Sequence, residues 1–122
     1  MKGKNSGDFG ENAVCDALSA RGYKIIKRNY HSRYGEIDII AQDGTCTAFI
    51  EVKTRMSTDF GNASEYVTYT KKNKIIKTAA CYLDGDIDRE IRFDVAEVYY
   101  NYQDDLPAVY KINYIKNAFI CE

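Results

Sequence analysis

The spacing of apolar residues predicts a helix at the start of the chain. Between residues 8 and 20 the apolar positions recur with a helical period, and Gly22 follows where a helix commonly ends. One face of this helix would be formed by Phe9, Ala13, Val14, Ala17 and Leu18. Such a face needs a partner surface on which to pack.

Three stretches rich in Ile, Val, Phe and Tyr come next and predict strands, at residues 23–30, 35–42 and 45–54. Asp43-Gly44 lies between the last two stretches and is typical of a tight hairpin turn. The polar stretch 55–61 is expected to form a loop.

A second amphipathic helix is predicted after this loop, and it should end at Asp84-Gly85. Its apolar face would be formed by Ile75, Ile76, Ala79, Ala80 and Leu83, opposite Lys74, Lys77 and Thr78. Residues 90–100 and 109–115 then predict two strands, separated by the turn-forming residues 103–107. The order α-β-β-β-α-β-β indicates an α/β fold, with residues 1–122 as a single domain.

Composition narrows the class of protein. The chain is 45% apolar and 29% charged, which is the balance of a soluble globular domain. It contains neither a long apolar span nor an apolar signal segment after Met1, so we expect a cytoplasmic protein without a membrane partner. His31 is the only histidine and the four cysteines form no C-x-x-C pair, which argues against a zinc site. Cys15 and Cys81 are expected to be free thiols on the apolar sides of the helices.

The net charge of −1 does not by itself indicate a nucleic-acid partner. The basic residues are clustered, however, at 21–33 and 71–77. A surface polarised in this way can attract phosphates locally.

Asp38 lies between isoleucines in a predicted strand, where burial of an unpaired charge is costly. In the next strand, Glu51 and Lys53 are two positions apart and therefore point to the same face. A two-residue turn as predicted would place Asp38 opposite Phe49 and diagonal to Glu51. A loop two residues longer would place Asp38 directly opposite Glu51. In both registers the two carboxylates and the lysine share one face of the sheet.

This arrangement predicts a metal site. Two neighbouring carboxylates repel each other unless a cation lies between them, and oxygen ligands favour Mg²⁺ or Mn²⁺. Such an ion activates water and binds phosphate oxygens, while the Lys53 ammonium would orient the water or neutralise charge on phosphorus. The alternative is that Glu51 and Lys53 form a solvated strand face and that Asp38 pairs with an arginine, since E-x-K is common by chance.

Asp38, Glu51 and Lys53 match the D…(D/E)-x-K signature of the restriction-endonuclease-like superfamily. Nearly the whole chain resembles, more closely, the YraN family of small bacterial proteins. The segments that carry this resemblance are Gly10-Glu11, Gly22-Tyr23, Arg28-Asn29, Gly35-Glu36-Ile37-Asp38, the run from Phe49 to Arg55, Phe60-Gly61, Lys71, Arg92-Phe93-Asp94-Val95 and Asn117-Ala118-Phe119. Val14 departs from the pattern, since the family's alanine is expected there.

The resemblance implies a restriction-endonuclease-like fold, with a central mixed β-sheet flanked by helices, akin to archaeal Holliday-junction resolvases. By the same analogy it suggests a homodimer, and it implies that Glu11 adds a carboxylate to the metal site. An acidic residue in the first turn of a helix is also favoured by the helix dipole alone. Lys71 matches a family position and would contact a nucleic-acid backbone, whereas Arg55 and Arg28 would hold phosphates or cover the sheet edge.

Asp94 is a second acidic residue inside an apolar strand. It has no E-x-K sequence beside it, and Arg92 lies two positions away on the same face. We therefore expect Asp94 to have a structural role, paired with Arg92 or another nearby basic residue.

The leading hypothesis is a divalent-metal-dependent nuclease that acts on DNA, branched or single-stranded. A nucleic-acid-binding module that does not cleave remains open as the alternative. A protein-interaction domain with an unused site is disfavoured, because an unused buried carboxylate pair would only destabilise the fold.

Overall fold

A computed structural model describes residues 6–56, 68–86 and 88–120 of the chain. Phe60-Gly61, part of the resemblance, lies outside these residues. The elements are α1 (Ser6–Ala20), β1 (Lys24–Ser32), β2 (Gly35–Asp43), β3 (Cys46–Met56), α2 (Tyr69–Leu83), β4 (Glu90–Gln103) and β5 (Leu106–Phe119). The order predicted from the sequence is confirmed, and so is an α/β architecture with a mixed sheet.

The five strands form one sheet in the order β1-β2-β3-β4-β5. Strands β3 and β4 are parallel, whereas the other neighbours are antiparallel. A parallel pair needs a crossover connection, and α2 lies in the segment that provides it.

The two helices cover opposite faces of the sheet. Val14 and Leu18 of α1 belong to an apolar cluster that includes Ile50, whereas Ile75 of α2 belongs to a second cluster that includes Phe49. Successive residues of a strand point to opposite faces, and Phe49 and Ile50 are neighbours on β3. The two clusters therefore lie on opposite sides of the sheet. None of the helices in the described ranges is long and apolar enough to cross a membrane.

Strands β3, β4 and β5 extend further than the sequence predicted. Strand β3 continues to Met56, so Arg55 is a buried strand residue rather than the first residue of a loop. Its parallel partner β4 extends equally far, with Met56 beside Tyr100, and this pairing prolongs the strand. The last hairpin turns at Asp104 and Asp105, whose positive φ angles of 53° and 66° suit the tight type I′ turn.

The buried face of α2 is rotated from the predicted one. Thr78, expected on the polar face, is fully buried, and Cys81, expected on the apolar side, is exposed. The reason is that the Thr78 hydroxyl shares a hydrogen bond of 2.9 Å with the Ser32 hydroxyl, which makes its burial favourable. Cys15, Cys46 and Cys81 are free thiols, as expected.

Asp94 has the structural role that its sequence context predicted. The two oxygens of its buried carboxylate share the single N–H of Arg92 Nε, at 3.1 and 2.9 Å. It also accepts hydrogen bonds from the Tyr114 hydroxyl and, at 2.9 Å, from the Asn117 backbone N–H. Burial and the hydrogen bond to Asp94 raise the pKa of Tyr114. The charge of Asp94 is therefore matched on every side by donors.

Candidate functional site

The β2–β3 hairpin brings Asp38 and Glu51 together. Its two-residue loop is Gly44-Thr45, one residue later than predicted, and Gly44 has the positive φ of 61° that favours glycine. Ile39 consequently pairs with Ile50. Continuing this register by one residue places Asp38 directly opposite Glu51. The observed register is therefore the second of the two that the sequence left open.

Asp38 lies where the two strands stop pairing. Backbone pairing between β2 and β3 ends at Ile39 and Ile50, and the Val52 N–H donates instead to Asp38 Oδ2 at 2.8 Å. The carboxylate thus takes the place of the backbone acceptor that a longer β2 ladder would supply. This bond fixes the Asp38 side chain at the opening between the strands.

Glu51 is buried, with 7% of its side chain exposed, and a lysine from α2 reaches it. Lys71 Nζ lies 2.8 Å from Glu51 Oε2. Lys71 is in the first turn of α2, where the Thr68 hydroxyl accepts a hydrogen bond of 3.1 Å from its backbone N–H. The hydrogen bond to Glu51 raises the pKa of the Lys71 ammonium. The helix cap therefore positions the cation that faces Glu51.

The electrostatics of the pair match the repulsion expected from its sequence. Burial, followed by the charge of Glu51, raises the pKa of Asp38 from its ordinary value of 3.8 to about 7. The hydrogen bond from Val52 opposes this change without cancelling it. A proton or a cation at Asp38 would therefore relieve the repulsion between the two carboxylates near neutral pH.

Both carboxylates open into a cavity of about 560 Å³ between the sheet and α2. This volume holds a phosphate group together with several waters. The polar residues that line it are Glu36, Asp38, Glu51, Thr68, Thr70, Lys71 and Lys74. The acidic groups come from strands β2 and β3 and the basic groups from α2, so the cavity offers ligands for a cation and for an anion side by side.

Lys53 lies two residues beyond Glu51 on β3, and alternation places it on the same face of the sheet. It is half-buried and beside Glu97 of β4 in the parallel register. It is not among the described residues that line the cavity. Its predicted role in catalysis therefore stays a prediction.

Glu11 approaches the pair from α1. Gly10 lies so close to Thr54 of β3 that a Cβ would collide with the threonine hydroxyl, and this close approach brings Glu11 down to the sheet. Glu11 is buried and 3.4 Å from Arg28, and burial raises its pKa while Arg28 lowers it. Its charge contributes to the raised pKa of Asp38.

Within the described ranges, no group of three or more His, Cys, Asp or Glu side chains is arranged to hold a metal ion. Asp38 and Glu51 are thus a two-carboxylate pair, with Glu11 acting on it through its charge. Magnesium sites in enzymes commonly use one or two carboxylates and complete their shell with water and substrate phosphate. The donor set of Asp38 and Glu51 fits such an ion.

The three basic residues predicted to hold phosphates have different surroundings. Lys71 contacts Glu51, Arg28 contacts Glu11, and Arg55 is buried with 8% exposure. The pairing of Lys71 with Glu51 was missed at the sequence level. The signal for it was Thr68, three residues earlier, whose side chain is a typical helix N-cap and so places Lys71 in the first turn of the helix.

The ion pair between Lys71 and Glu51 yields a testable result. Replacing Lys71 with methionine keeps the length of the side chain but leaves Glu51 beside Asp38 without a cation. The rise in melting temperature on adding millimolar Mg²⁺, measured without nucleic acid, should be larger in Lys71→Met than in the wild type. Lys72→Met is the control, because Lys72 lies over the Phe119 ring rather than in the cavity. Equal metal responses in all three proteins would contradict this account of the site.

Known proteins are similar to this chain along most of its length. The model of the uncharacterised protein family UPF0102 matches residues 10–98. A UPF0102 protein of Clostridium botulinum (strain Hall) is 45% identical over 122 residues, with 95% of this chain and 94% of the relative covered. A UPF0102 protein of Alkaliphilus metalliredigens (strain QYMF) is 42% identical over 118 residues, covering 95% of this chain and 98% of the relative.

Proposed function

The chain belongs to the uncharacterised protein family UPF0102, the YraN family that its sequence resembles, and we propose that it is a divalent-metal-dependent nuclease of the restriction-endonuclease-like fold. The observation that carries this proposal is the pair formed by Asp38 and Glu51. The two carboxylates line the same cavity, and burial together with the charge of Glu51 raises the pKa of Asp38 to about 7. Glu51 is buried and Asp38 is half-buried, and an acidic pair in such surroundings costs stability, which is characteristic of functional sites.

Asp38 and Glu51 are the residues that would hold Mg²⁺ or Mn²⁺. When bound, the ion lowers the pKa of a coordinated water and polarises a phosphate oxygen. Asp38 gives up its proton on binding, and the hydrogen bond from Val52 keeps its second oxygen oriented. Glu11 and Arg28 act from the α1 side and hold the local charge balance.

Two lysines would act on the phosphate. Lys71 can move its ammonium from Glu51 to a substrate phosphate once an ion compensates the carboxylate. Lys53, next along β3, would stabilise the charge that develops on phosphorus or orient the attacking water. DNA is the expected substrate, with branched or single-stranded forms included.

A non-cleaving nucleic-acid-binding module is the second candidate. The observation in its favour is the 2.8 Å distance between Lys71 Nζ and Glu51 Oε2, because the chain here supplies its own cation to the carboxylate. In that case Lys71 and Glu51 would form a structural ion pair beside the other lysines of α2. Cleavage assays separate the two candidates.

Lys53→Ala tests the nuclease. With Mg²⁺ or Mn²⁺ and a panel of duplex, branched and single-stranded DNA, the variant should cleave about 10²-fold more slowly than the wild type, since it lacks a charge used in the transition state. Its DNA affinity in EDTA should stay close to that of the wild type. Lys116→Ala, at an exposed lysine of β5, is the matched control. A wild type that binds DNA but cleaves nothing with either metal supports the second candidate instead.

A further inference from the structure

The turn between β1 and β2 is fastened to α2. The Ser32 hydroxyl lies 2.9 Å from the Thr78 hydroxyl and accepts a hydrogen bond of 3.0 Å from the Tyr34 backbone N–H. Thr78 is fully buried, so this link is shielded from water. Arg33 and Tyr34, the two residues of the turn, are therefore held at a defined position beside the helix.

Two cations meet at the Tyr34 ring. The guanidinium carbon of Arg33 lies 5.2 Å from the ring centroid, and Lys77 Nζ lies 5.6 Å from it. Arg33 also donates a hydrogen bond of 3.2 Å to the Tyr34 hydroxyl. The electron-rich ring attracts both cations and so gathers two like charges in one place.

Lys74 lies between the Tyr34 ring and the cavity. A Cβ at Gly35 would lie 3.4 Å from Lys74 Cβ, so the lysine stem crosses the strand where it leaves the turn. Lys74 also lines the cavity that contains Asp38 and Glu51. Within the described ranges, none of the three basic residues Arg33, Lys74 and Lys77 forms an ion pair with an acidic side chain.

Lys71, Lys74 and Lys77 are spaced by three residues, which places them along one side of α2 with about 4.5 Å of rise per step. The series begins at Glu51 and ends at Tyr34. The positive charges thus form a continuous path from the carboxylates to the turn. A ligand that matches such a path carries regularly repeated negative charges.

We propose that Arg33, Lys74 and Lys77, arranged around Tyr34, bind the phosphate backbone of a nucleic-acid strand that leads away from the cavity. The inference rests on the proposed function, because it places the bound strand next to Asp38 and Glu51. It adds the direction in which the strand leaves and the side chains that hold it. The hydrogen bond between Ser32 and Thr78 already holds the turn in place, so little conformational entropy of the turn is lost when a nucleic-acid strand binds.

The test is a binding titration with fluorescently labelled DNA in EDTA, so that no cleavage takes place. The double variant Arg33→Gln/Lys77→Gln is compared with the wild type and with Lys24→Gln. Lys24 is an exposed lysine at the opposite end of β1 from the turn. For each phosphate that is no longer neutralised, the slope of log affinity against log salt should become shallower by about 0.9 for duplex DNA and by about 0.7 for single strands.

Because the double variant leaves two phosphates without a cation, its affinity drop between about 50 and 200 mM salt should be about seven- to twelvefold smaller than that of the wild type. Lys24→Gln should keep the wild-type slope. The charge-retaining variant Arg33→Lys/Lys77→Arg should restore most of the binding, which a folding defect would not allow.

An unchanged slope in the double variant would overturn the proposal, and so would an equal loss of affinity in Lys24→Gln, because the binding would then follow diffuse charge. A wild type that binds no DNA at low salt would also overturn it. Failure of the nuclease is a separate result: the expected slopes together with no cleavage under Mg²⁺ or Mn²⁺ would leave this binding surface in place and remove the catalytic function.

Discussion

Replacing Arg92 with leucine is expected to destabilise the protein by about 3–5 kcal/mol, because it leaves the buried Asp94 carboxylate without its cation. Arg92 is 10% exposed and also donates to Asp43 Oδ2 at 3.0 Å and to the Tyr23 hydroxyl at 2.7 Å. One guanidinium therefore ties β2, β4 and the segment before β1 together. Burial lowers the pKa of Arg92, but the hydrogen bonds to Asp94 and Asp43 outweigh it and raise the pKa overall.

The measurement is chemical or thermal unfolding at neutral pH, with a fall in melting temperature of about 10 °C or more. Arg89→Leu is the control, because Arg89 pairs with Asp86 at 3.3 Å on the surface, where both side chains are more than a third exposed. An exposed pair of this kind contributes at most about 1 kcal/mol. Similar losses of stability in the two variants would show that the buried network is not what stabilises this end of the sheet.

Arg92→Leu/Asp94→Asn extends the test. The asparagine carries no charge to be compensated, and its oxygen can still accept from Tyr114 or from the Asn117 N–H. The double variant should therefore be more stable than Arg92→Leu alone. A double variant less stable than the single one would mean that the Asp94 charge is favourable even without arginine.

Local patterns were sufficient to predict the order of the elements and the role of Asp94. The helical and strand periods depend on neighbouring residues alone, and the pairing of Arg92 with Asp94 follows from their spacing on one strand. The resemblance to the family, carried by segments along nearly the whole chain, added the expectation that Glu11 belongs to the metal site, and this stays a prediction. The periods of the elements and the spacing of Arg92 and Asp94, by contrast, are each contained within a few consecutive positions.

The register of the β2–β3 hairpin could not be chosen from the sequence. Asp43-Gly44 was the expected loop, but the strands turn at Gly44-Thr45, and the one-residue difference changes which residue faces Asp38. Both turns place glycine at a position where a positive φ is acceptable, so local turn preference does not separate them. The two registers differ by two residues along β3, so each residue keeps its face of the sheet in both, and the alternation of apolar residues does not separate them either.

The residues that contact the α2 side chains could not be predicted from the local sequence either. Thr78 is polar, and its burial depends on Ser32, which is 46 positions away. The pairing of Lys71 with Glu51 likewise depends on how the helix is placed over the sheet. Thr78 was predicted on the polar face and Lys71 at a nucleic-acid backbone, because the partners of both side chains belong to distant parts of the chain.

Asp38→Asn should stabilise the metal-free protein at about pH 8 by roughly 2–4 kcal/mol, and it should abolish both metal binding and cleavage. The pKa of Asp38 is raised from 3.8 to about 7 in the folded protein, so folding is favoured when this group is protonated. That contribution is complete below about pH 4 and is lost as the pH rises through about 7. Asparagine has no such titration and can still accept the hydrogen bond from Val52.

The unfolding free energies of the two proteins should therefore diverge between about pH 4 and pH 7, by up to about 1.4 kcal/mol per pH unit, and the difference should be constant above that range. Mg²⁺ should reverse the order at about pH 8, because only the wild type gains stability from the ion. Below about pH 7 the apparent metal affinity should fall by up to tenfold per pH unit, since binding displaces the proton from Asp38. A wild type whose stability neither depends on Mg²⁺ nor differs from Asp38→Asn across this range would rule out a preformed metal site between Asp38 and Glu51.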